Sequence, residues 1–383
     1  MDVFFQTENH DRVKISNVES SAASSITVST AEAWDECIGF LQLMGKNISL
    51  FPEKYLIMKK ALMLSEIELL RTIPPETIKE HFQNITETLQ NALCCKENEE
   101  YLVSYLEIKR FLRELSPPTI DVARLKQIVA KSSHEPTAKR MLELLPDDSG
   151  RARKSEYSMH GSRTGRLVIK SGPQILTMPS ETRSSFESSY RRGKILQIDL
   201  ISAEPKIALH MQGKDEIVDV YEHISKVILG GKVSRDQAKL TTLCALYGQS
   251  PTNLGRSLPG DISPNYVIKQ TKRFFDVYNL EKLLKNSMRN NNLRNALGRP
   301  IKLPASDERL LVSYFLQSSA AEISILAFSQ WCRDHQESTK PLYVIHDAVI
   351  ADCDEPLANE LLSQKTLSLS VGDWKFESKV TEI

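Results

Sequence analysis

The sequence predicts an α+β fold in which a helical region precedes most of the strands, and three observations lead to it. Helical periodicity fills residues 31 to 146, and apolar strand-like runs occur at Ile195 to Leu200 and at Tyr343 to Cys353. Two further helices are predicted at 234–248 and 306–331. Helices and strands that occur in separate runs are typical of α+β domains. A chain of 383 residues with 41% hydrophobic content can bury a sizeable core.

Composition and charge argue against several classes of protein. Lys plus Arg equals Asp plus Glu at 49 each, so no global basic field attracts nucleic acid, and any such contact must come from local patches. The six cysteines include no CxxC pair, which argues against a zinc site or a disulfide framework. The N-terminus is unlike a signal or transit peptide, and no run predicts a membrane span. We therefore expect a cytoplasmic protein, or a viral or plasmid protein acting in its host's cytoplasm, with no membrane partner.

The first 150 residues divide into two predicted regions. Residues 1–30 combine a short strand-like start with a Ser/Thr/Ala-rich stretch, which is typical of an arm or linker. Residues 31–150 carry three helical stripes of apolar side chains. The stripes are Trp34, Ile38 and Leu41; Ile78, Phe82, Ile85 and Leu89; and Tyr101, Tyr105, Ile108, Leu112 and Leu115. They predict a helical region but no particular function.

Two acids are associated with apolar strands. Asp199 comes near the end of the run from Ile195, and Asp347 interrupts the run that ends at Cys353. A single acid of this kind is most simply part of a turn, because Asp adopts turn geometry and hydrogen-bonds its own backbone. A second acid presented in the same way favours a functional pair, although the hairpin interpretation of His346-Asp347 stays open.

A helix is predicted to begin at Arg235, after a capping box formed by Ser234 and Gln237, and to end near Gly248. Four of its residues are spaced by four and share one slowly drifting stripe about 18 Å long. They are Arg235, Lys239, Leu243 and Tyr247. The stripe suits an extended nucleoside triphosphate, with cations on the phosphates and apolar or flat groups beside the sugar and base. An amphipathic helix with solvated cations is the alternative.

Three further stretches carry polar groups. A loop between Arg151 and Arg166 is rich in basic residues and would either contact phosphates or form a solvated linker. NALGRPIKLP, Asn295 to Pro304, predicts a hairpin with Gly298 in its turn. The helix that follows, Ser306 to Trp331, is apolar almost all round and should be buried. It carries a polar stripe, whose partners would be nucleic-acid groove edges or internal hydrogen bonds; the stripe is Arg309, Ser313 and Gln317.

In this order and spacing, six stretches resemble the polymerase core of family A DNA polymerases, the bacterial DNA polymerase I type. The resemblance covers roughly residues 150 to 383. The matching stretches are Asp199 to Lys206 (motif A, DYSQIELR), Arg235 to Gly248 (motif B, RxxxKxxxFxxxYG), Ile345 to Ala348 (motif C, HDE), Thr164 to Leu167 (TGRL), Gly298 to Pro304 (GRxxxLP), and Arg309 with Gln317.

The resemblance implies a right-hand polymerase fold with an antiparallel palm sheet, helical fingers and a helical thumb. The thumb would lie within 31–150, the palm and fingers within 151–383, and the fingers at about 210–285. The implied activity is that of a DNA-directed DNA polymerase, which transfers a nucleotide from dNTP to a primer 3′-hydroxyl and releases pyrophosphate. Two Mg²⁺ ions, or Mn²⁺ in their place, would be held by Asp199, Asp347 and the backbone carbonyl of Leu200. The implied partners are primer-template DNA, dNTPs and replisome proteins.

The resemblance also implies roles for the other site residues. Lys239 is similar to the lysine that contacts the triphosphate and protonates pyrophosphate, and Arg235 to the arginine on the β and γ phosphates. Glu204 falls where the family keeps the glutamate that fills the space of a ribose 2′-hydroxyl. Tyr247 matches the tyrosine at the template position, and His346 the histidine near the primer end and triphosphate. The residues expected to contact DNA are Arg166, Lys206, Arg309 and Gln317.

Three positions depart from the family's motifs. Leu200 replaces a tyrosine, Leu243 replaces the base-stacking Phe or Tyr, and Ala348 replaces a glutamate. These changes bear on nucleotide affinity and fidelity, whereas the pair of acids is kept. Because the thumb would occupy most of the chain before residue 150, we expect no exonuclease domain and no proofreading.

Two other functions fit part of the pattern. A single-subunit RNA polymerase or primase-like nucleotidyltransferase shares several of these elements and has a small residue where Ala348 stands, but it has Gly where this chain has Glu204. An inactive DNA-binding replisome component is the third interpretation. Retention of both acids and both cations speaks against it, because paired acids repel each other without metal.

Overall fold

The structure is a computed structural model that describes residues 2–6, 12–17, 26–28, 31–214, 217–248, 251–303 and 308–383. The chain divides into two compact units. The first is Met1–Leu106 with Gly298–Pro300, and the second is Glu107–Leu297 with Ile301–Ile383. The boundary predicted near residue 150, and the ranges given to thumb, palm and fingers, stay predictions.

The first unit combines a small sheet with helices. Its strands are β1 (Asp2–Gln6), β2 (Arg12–Asn17) and β3 (Ile26–Val28), in the order β2-β1-β3, and its helices are α1 (Ala31–Leu43), α2 (Glu53–Leu62), α3 (Glu66–Thr72), α4 (Pro75–Leu93) and the first part of α5 (Lys96–Glu114). The stretch predicted as an arm or linker therefore contains strands. Val, Phe and Ile in β1 and β2 favour strands, whereas the prediction relied on the Ser/Thr/Ala-rich stretch after them.

The apolar stripes predicted for this region are largely buried, and their residues up to Tyr105 belong to the first unit. Trp34, Ile38 and Leu41 are buried along α1. Tyr101 and Tyr105 lie with their ring centroids 6.2 and 5.8 Å from that of Phe40, another residue of α1. Burial of these side chains confirms the predicted helical periodicity.

The second unit is built on one five-stranded antiparallel sheet. The strands of the second unit are β4 (Thr119–Ile120), β5 (Glu156–Ser158), β6 (Val168–Ser171), β7 (Phe186–Glu187), β8 (Lys194–Leu200), β9 (Thr339–Ile345), β10 (Ala348–Cys353), β11 (Thr366–Val371) and β12 (Trp374–Glu382). The sheet has the order β11-β12-β8-β10-β9, while β4 pairs with β7 and β5 with β6. The central position of β8 fixes it from both sides by main-chain hydrogen bonds.

The helices of the second unit surround this sheet. They are α6 (Val122–Lys131), α7 (Glu135–Leu142), α8 (Ala203–His210), α9 (Val220–His223), α10 (Arg235–Tyr247), α11 (Pro251–Ser257), α12 (Pro264–Phe274), α13 (Val277–Arg289), α14 (Leu311–Asp334) and α15 (Glu355–Gln364), with 3₁₀ turns at Ile175–Thr177, Ser180–Ser185 and Glu308–Leu310 and a π-helical turn at Ile224–Ile228. Helix α14 packs against α8, β9 and β11, and α10 packs against α9, α11 and α12. Mixed helices and an antiparallel sheet confirm the α+β class.

Helix α14 is the buried helix that the sequence predicted. Phe315, Ile323 and Phe328 are among its many buried residues. Residues 306 and 307 of the predicted span lie outside the described part of the chain. By length and composition, Glu308–Asp334 could cross a membrane, contrary to our expectation that no run would do so. However, 78% of its most apolar window is buried within the unit, as expected of a core helix.

Helix α10 has the bounds that its capping signals predicted. Ser234 accepts from the Gln237 amide at 3.2 Å, and the Gln237 side chain accepts from the Ser234 amide at 2.8 Å. Gly248 ends the helix with a φ of 65°, in the left-handed region that glycine adopts freely. The predicted hairpin at Asn295 is a chain reversal without strands, in which the Ile301 amide donates to the Leu293 carbonyl at 2.9 Å. Pro304, its predicted end, lies outside the described residues.

Candidate active site

The sheet brings the two acids together. In the pairing of β10 with β8, Ala348 lies opposite Asp199, and the Leu200 amide donates to the carbonyl of Asp347 at 3.0 Å. His346 and Asp347 form the two-residue turn between β9 and β10, so the hairpin interpretation is confirmed, while the function of the paired acids stays a prediction. Asp347 therefore lies in a turn rather than at a strand end as expected. His346 has a φ of 54°, which is uncommon for a residue other than glycine.

Strand β8 presents its polar side chains on one face. Leu196, Ile198 and Leu200 are buried, whereas Gln197 and Asp199 alternate with them and are half-buried. Successive side chains of a strand point to opposite faces, so the apolar face secures the strand against the core while Asp199 stays accessible. This is the local reason that an acid can occupy a central strand.

The charge of Asp347 acts on Asp199. Burial, and after it the charge of Asp347, raise the pKa of Asp199 to about 6; a hydrogen bond from Gln197 and the cations of Lys239 and Lys379 oppose the rise. Asp199 on β8 therefore has Ala348 of β10 opposite it on one side and Lys379 of β12 opposite it on the other. A bound cation would reduce the repulsion between two nearby carboxylates and favour their charged forms.

A cleft beside the acids collects residues from four separate stretches of sequence. It is lined by five predicted site residues: Arg166, Glu204, Gln317, His346 and Asp347. The small side chains of Ala320 and Ala321 on α14 keep it open. Its volume of about 90 Å³ is well below the roughly 300–1,000 Å³ of sites that enclose a drug-sized ligand. The cleft could therefore enclose only one end of a nucleoside triphosphate.

Glu204 is held at this cleft by Arg166. The Arg166 Nη2 atom lies 2.7 Å from Glu204 Oε1, and the Glu204 side chain is 22% exposed. Glu204 is the second residue of α8, and Ser202, the residue before the helix, has a left-handed φ of 59°. Tyr247 is the neighbour on the other side, since burial first and then the charge of Glu204 raise the pKa of its phenol. The carboxylate thus pairs with a cation and lies close to the half-buried Tyr247.

The stripe along α10 runs from exposed cations to half-buried Leu243 and Tyr247, as predicted. Arg235 Nε pairs with Asp219 Oδ2 at 2.8 Å. The ring of Tyr221 lies under both cations, with its centroid 5.4 Å from the Arg235 guanidinium carbon and 6.0 Å from Lys239 Nζ.

Tyr221 connects the cations of α10 with the acids of the cleft. Burial raises the pKa of Tyr221 to about 12, and the charges of Glu204 and Asp347 add to the rise. The Tyr221 ring therefore contacts both cations of α10 and lies within reach of the charges of Glu204 and Asp347.

Three predicted site residues lie elsewhere or already have partners. Lys206 is 6% exposed within α8, so it does not present a surface to DNA here. Arg309 is exposed in the 3₁₀ turn before α14 and is not among the described residues that line the cleft. Gln317 faces the cleft but donates to Ser313 at 3.1 Å, so part of the predicted polar stripe is satisfied internally. The DNA-contacting roles of these residues stay predictions.

Sequence reasoning missed several residues of the site. Asp219 carries the signal of a helix N-cap, because its side chain accepts from the Glu222 amide at 3.0 Å, but that signal says nothing of Arg235. Gln197 stands two residues before Asp199 on one strand, and this spacing could have identified it. No local signal connects Arg183, Tyr221 or Lys379 to the acids.

The carboxylates of Asp199 and Asp347 fit a divalent cation that takes its remaining ligands from water and substrate, rather than a metal site whose ligands all come from the protein. Within the described part of the chain, no group of three or more His, Cys, Asp or Glu residues is arranged to hold a metal. Asp199 and Asp347 supply two carboxylates on rigid main chain, and their repulsion favours a cation between them. Mg²⁺ typically takes one or two protein carboxylates and fills its other positions with water and substrate phosphates.

No protein-family model and no curated protein matches this chain. Among solved structures, the chain is similar to the POL domain of Pol1 from M. smegmatis in complex with DNA primer-template and dNTP, at a TM-score of 0.47 and 16% sequence identity. The match covers 91% of this chain and 63% of that chain. A similarity this low carries no argument about function, which must come from the geometry of the site.

Proposed function

We propose that this chain is a DNA-directed DNA polymerase, which transfers a nucleotide from dNTP to the 3′-hydroxyl of a primer. One observation carries the proposal. Residues of four sequence stretches, which resemble separate polymerase motifs, line a single cleft beside two paired acids. The proposed partners are primer-template DNA and dNTPs, with replisome proteins a further expectation.

The acids would hold the metal ions of the reaction. Asp199 and Asp347, with the Leu200 backbone carbonyl, are the proposed ligands of two Mg²⁺ ions, for which Mn²⁺ could substitute. When bound, such ions neutralise charge on the attacking and leaving oxygens of an in-line phosphoryl displacement. The sheet holds both main chains in place, which suits a reaction that depends on positioning.

The cations of α10 would bind the triphosphate. Arg235 would hold the β and γ phosphates, and Lys239 Nζ would contact the triphosphate and protonate the departing pyrophosphate. Arg235 must first exchange Asp219 for phosphate, because the two are paired at 2.8 Å. Leu243 would lie against the incoming base, and Tyr247 would stack at the template position.

Glu204 would select deoxyribose. Its carboxylate is held by Arg166 at 2.7 Å and lines the same cleft as Asp347, so it can occupy the space that a ribose 2′-hydroxyl would need. Selection of this kind depends on a steric clash with the wrong sugar. Ala348, a small residue directly after Asp347, is the one observation that favours an RNA polymerase or primase-like enzyme instead.

The proposed layout places the palm on the sheet of the second unit, the fingers around α10 and the thumb within residues 31–150. Absence of proofreading is part of the same proposal, since the proposed thumb would occupy most of residues 31–150.

Primer extension tests the proposal directly. The purified chain is incubated with a labelled primer-template, Mg²⁺ and either four dNTPs or four NTPs. Extension with dNTPs supports the proposal, and extension with NTPs alone would support the RNA polymerase alternative. A chain that binds the primer-template but extends with neither substrate would be the inactive DNA-binding protein.

A further inference from the structure

A polar chain of three side chains stands behind Asp199. Arg183 Nη1 donates to Gln197 Oε1 at 2.7 Å, and Gln197 Nε2 lies 3.4 Å from Asp199 Oδ2. Arg183 belongs to the 3₁₀ turn Ser180–Ser185, whereas Gln197 and Asp199 lie two residues apart on β8. Residues two apart on a strand share a face, so the second contact follows from the strand itself.

Arg183 fixes the orientation of the Gln197 amide. A glutamine amide has an acceptor end and a donor end of nearly equal size, and only its partners decide which end points where. The guanidinium can only donate, so it requires the carbonyl end of Gln197. The NH₂ end is then left for the carboxylate of Asp199. An apolar residue in place of Arg183 would leave the amide free to turn.

The environment of Arg183 makes this contact specific. Its Nε atom is buried without a hydrogen-bond partner among the described residues, so the Gln197 contact at Nη1 is a main anchor of the head group. Asp199 lies close enough for its charge to offset part of the effect that burial has on the pKa of Arg183. The three side chains therefore form one chain of polar contacts, which begins at Arg183, with its buried Nε atom, and ends at Asp199 in the site.

We infer that Gln197, oriented by Arg183, is a positioning residue that sets the rotation of the Asp199 carboxylate. The inference rests on the proposed function. A donor on Oδ2 favours one rotamer of the carboxylate and leaves Oδ1 without this contact, so that Oδ1 would be available to a metal ion. Groups behind a metal-binding carboxylate commonly orient it, and their loss costs about 10- to 100-fold in metal affinity or activity.

Lys379 offers a contrast on the other side of Asp199. It lies opposite Asp199 on β12 and lowers the pKa of that acid through its charge, with no hydrogen bond to it among those described. Replacing Lys379 should therefore change electrostatics at the site without releasing the carboxylate. Comparing Lys379 with Gln197 therefore distinguishes an effect of charge on Asp199 from an effect on the orientation of its carboxylate.

The test compares Gln197→Met, which keeps length and removes the amide, with Gln364→Met, the same change at an exposed position on α15. Two readouts are combined: single-nucleotide insertion, and Mn²⁺ affinity by electron paramagnetic resonance with primer-template and a non-hydrolysable dNTP analogue. We expect Gln197→Met to lower kcat and Mn²⁺ affinity about 10- to 100-fold, with KM for dNTP changed less than about twofold. Gln364→Met should match the wild type.

Arg183→Met provides a second variant and a test of coupling. If Arg183 acts through Gln197, the double variant should be no worse than Gln197→Met alone, whereas independent effects would multiply. Melting temperatures show whether each variant is folded, and Arg183→Met carries the test if Gln197→Met is not. A wild type that extends no primer would contradict the proposed function. A wild type that extends primers, with folded variants of normal kcat and Mn²⁺ affinity, would overturn only the positioning role.

Discussion

Ala348 lies directly opposite Asp199 in the antiparallel pairing of β10 with β8, which places Asp347 immediately beyond the pair. The Leu200 amide donates to the Asp347 carbonyl at 3.0 Å and ties the two main chains together. Because sheet hydrogen bonds hold both backbones, side-chain changes at either acid should act locally. Effects on catalysis and on stability can therefore be measured separately.

The ion pair between Arg166 and Glu204 predicts how the sugar is selected. Glu204→Ala removes the carboxylate that would clash with a 2′-hydroxyl, so incorporation of NTP relative to dNTP should rise by about tenfold or more, or about 1.4 kcal/mol. Arg166→Met should give a smaller rise, because the carboxylate stays but loses its partner at 2.7 Å. Single-nucleotide insertion with matched dNTP and NTP measures this, with the exposed Glu360→Ala on α15 as control. A wild type that prefers NTPs would contradict this role.

Leu243 predicts weak stacking on the incoming base. Loss of a base-stacking aromatic to Ala costs roughly 1–3 kcal/mol, and Leu should recover only part of this by dispersion. Leu243→Phe should therefore lower KM for dNTP, and Leu243→Tyr should also alter acceptance of dideoxynucleotides. Leu240→Phe is the matched control, since Leu240 is 42% exposed on the same helix but off the stripe. Unchanged KM and terminator use in both Leu243 variants would show that Leu243 does not face the nucleotide.

The pair of Arg235 with Asp219 predicts a competition for the triphosphate. Asp219→Asn removes the charge that holds Arg235 at 2.8 Å, while the Asn side-chain oxygen can still accept from the Glu222 amide and cap α9. KM for dNTP should fall several-fold, because phosphate no longer displaces a carboxylate. Glu222→Gln, which breaks only the pair with Lys226 on the same turn, serves as control. An Asp219→Asn variant with a higher KM would indicate that Asp219 helps to position Arg235 instead.

The raised pKa of Asp199 predicts a pH-dependent cost in stability. The folded-state pKa of about 6 lies above the ordinary 3.8, so the native state binds the proton more tightly, and stability falls as the pH rises from about 4 to about 6 and is level above that. Asp199→Asn should therefore raise the melting temperature of the protein without metal or DNA, more at pH 8 than at pH 5. Asp261→Asn, at an exposed loop carboxylate, should change it at neither pH. An equal gain at both values would indicate a cause other than titration.

Local patterns in the sequence predicted the elements of the site, but not the contacts between them. The capping box of Ser234 and Gln237 gave the N-terminal end of α10 and Gly248 gave its C-terminal end, because caps are set by neighbouring residues. Asp199 was located because an apolar strand pattern has a period of two. The pairing of Asp219 with Arg235 joins residues 16 apart, and that of Arg183 with Gln197 joins residues 14 apart, which no local pattern encodes.

Two other outcomes differed from the prediction, each for its own reason. Lys206 looked like a surface cation in the motif, yet α8 lies against α14 and turns Lys206 inward, leaving it 6% exposed. The stretch before residue 30 was predicted to be an arm or linker from its Ser/Thr/Ala-rich part, whereas the structure has three strands there, with β1 paired to both β2 and β3. For Lys206 the deciding partner lies in another part of the chain, whereas the strands pair within residues 2–28 and their Val, Phe and Ile residues were a local signal that the prediction did not use.

Single-turnover primer extension by Asp347→Ala and Asp199→Ala tests the central claim most directly. Both variants keep the strand pairing of the sheet, and binding of labelled primer-template and the melting temperature show that each is folded and still binds DNA. The account predicts a loss of several orders of magnitude in the rate of dNTP addition for each variant, with primer-template affinity changed less than about threefold. Extension at near wild-type rate by either variant would contradict the assignment of these two acids as the metal-binding pair.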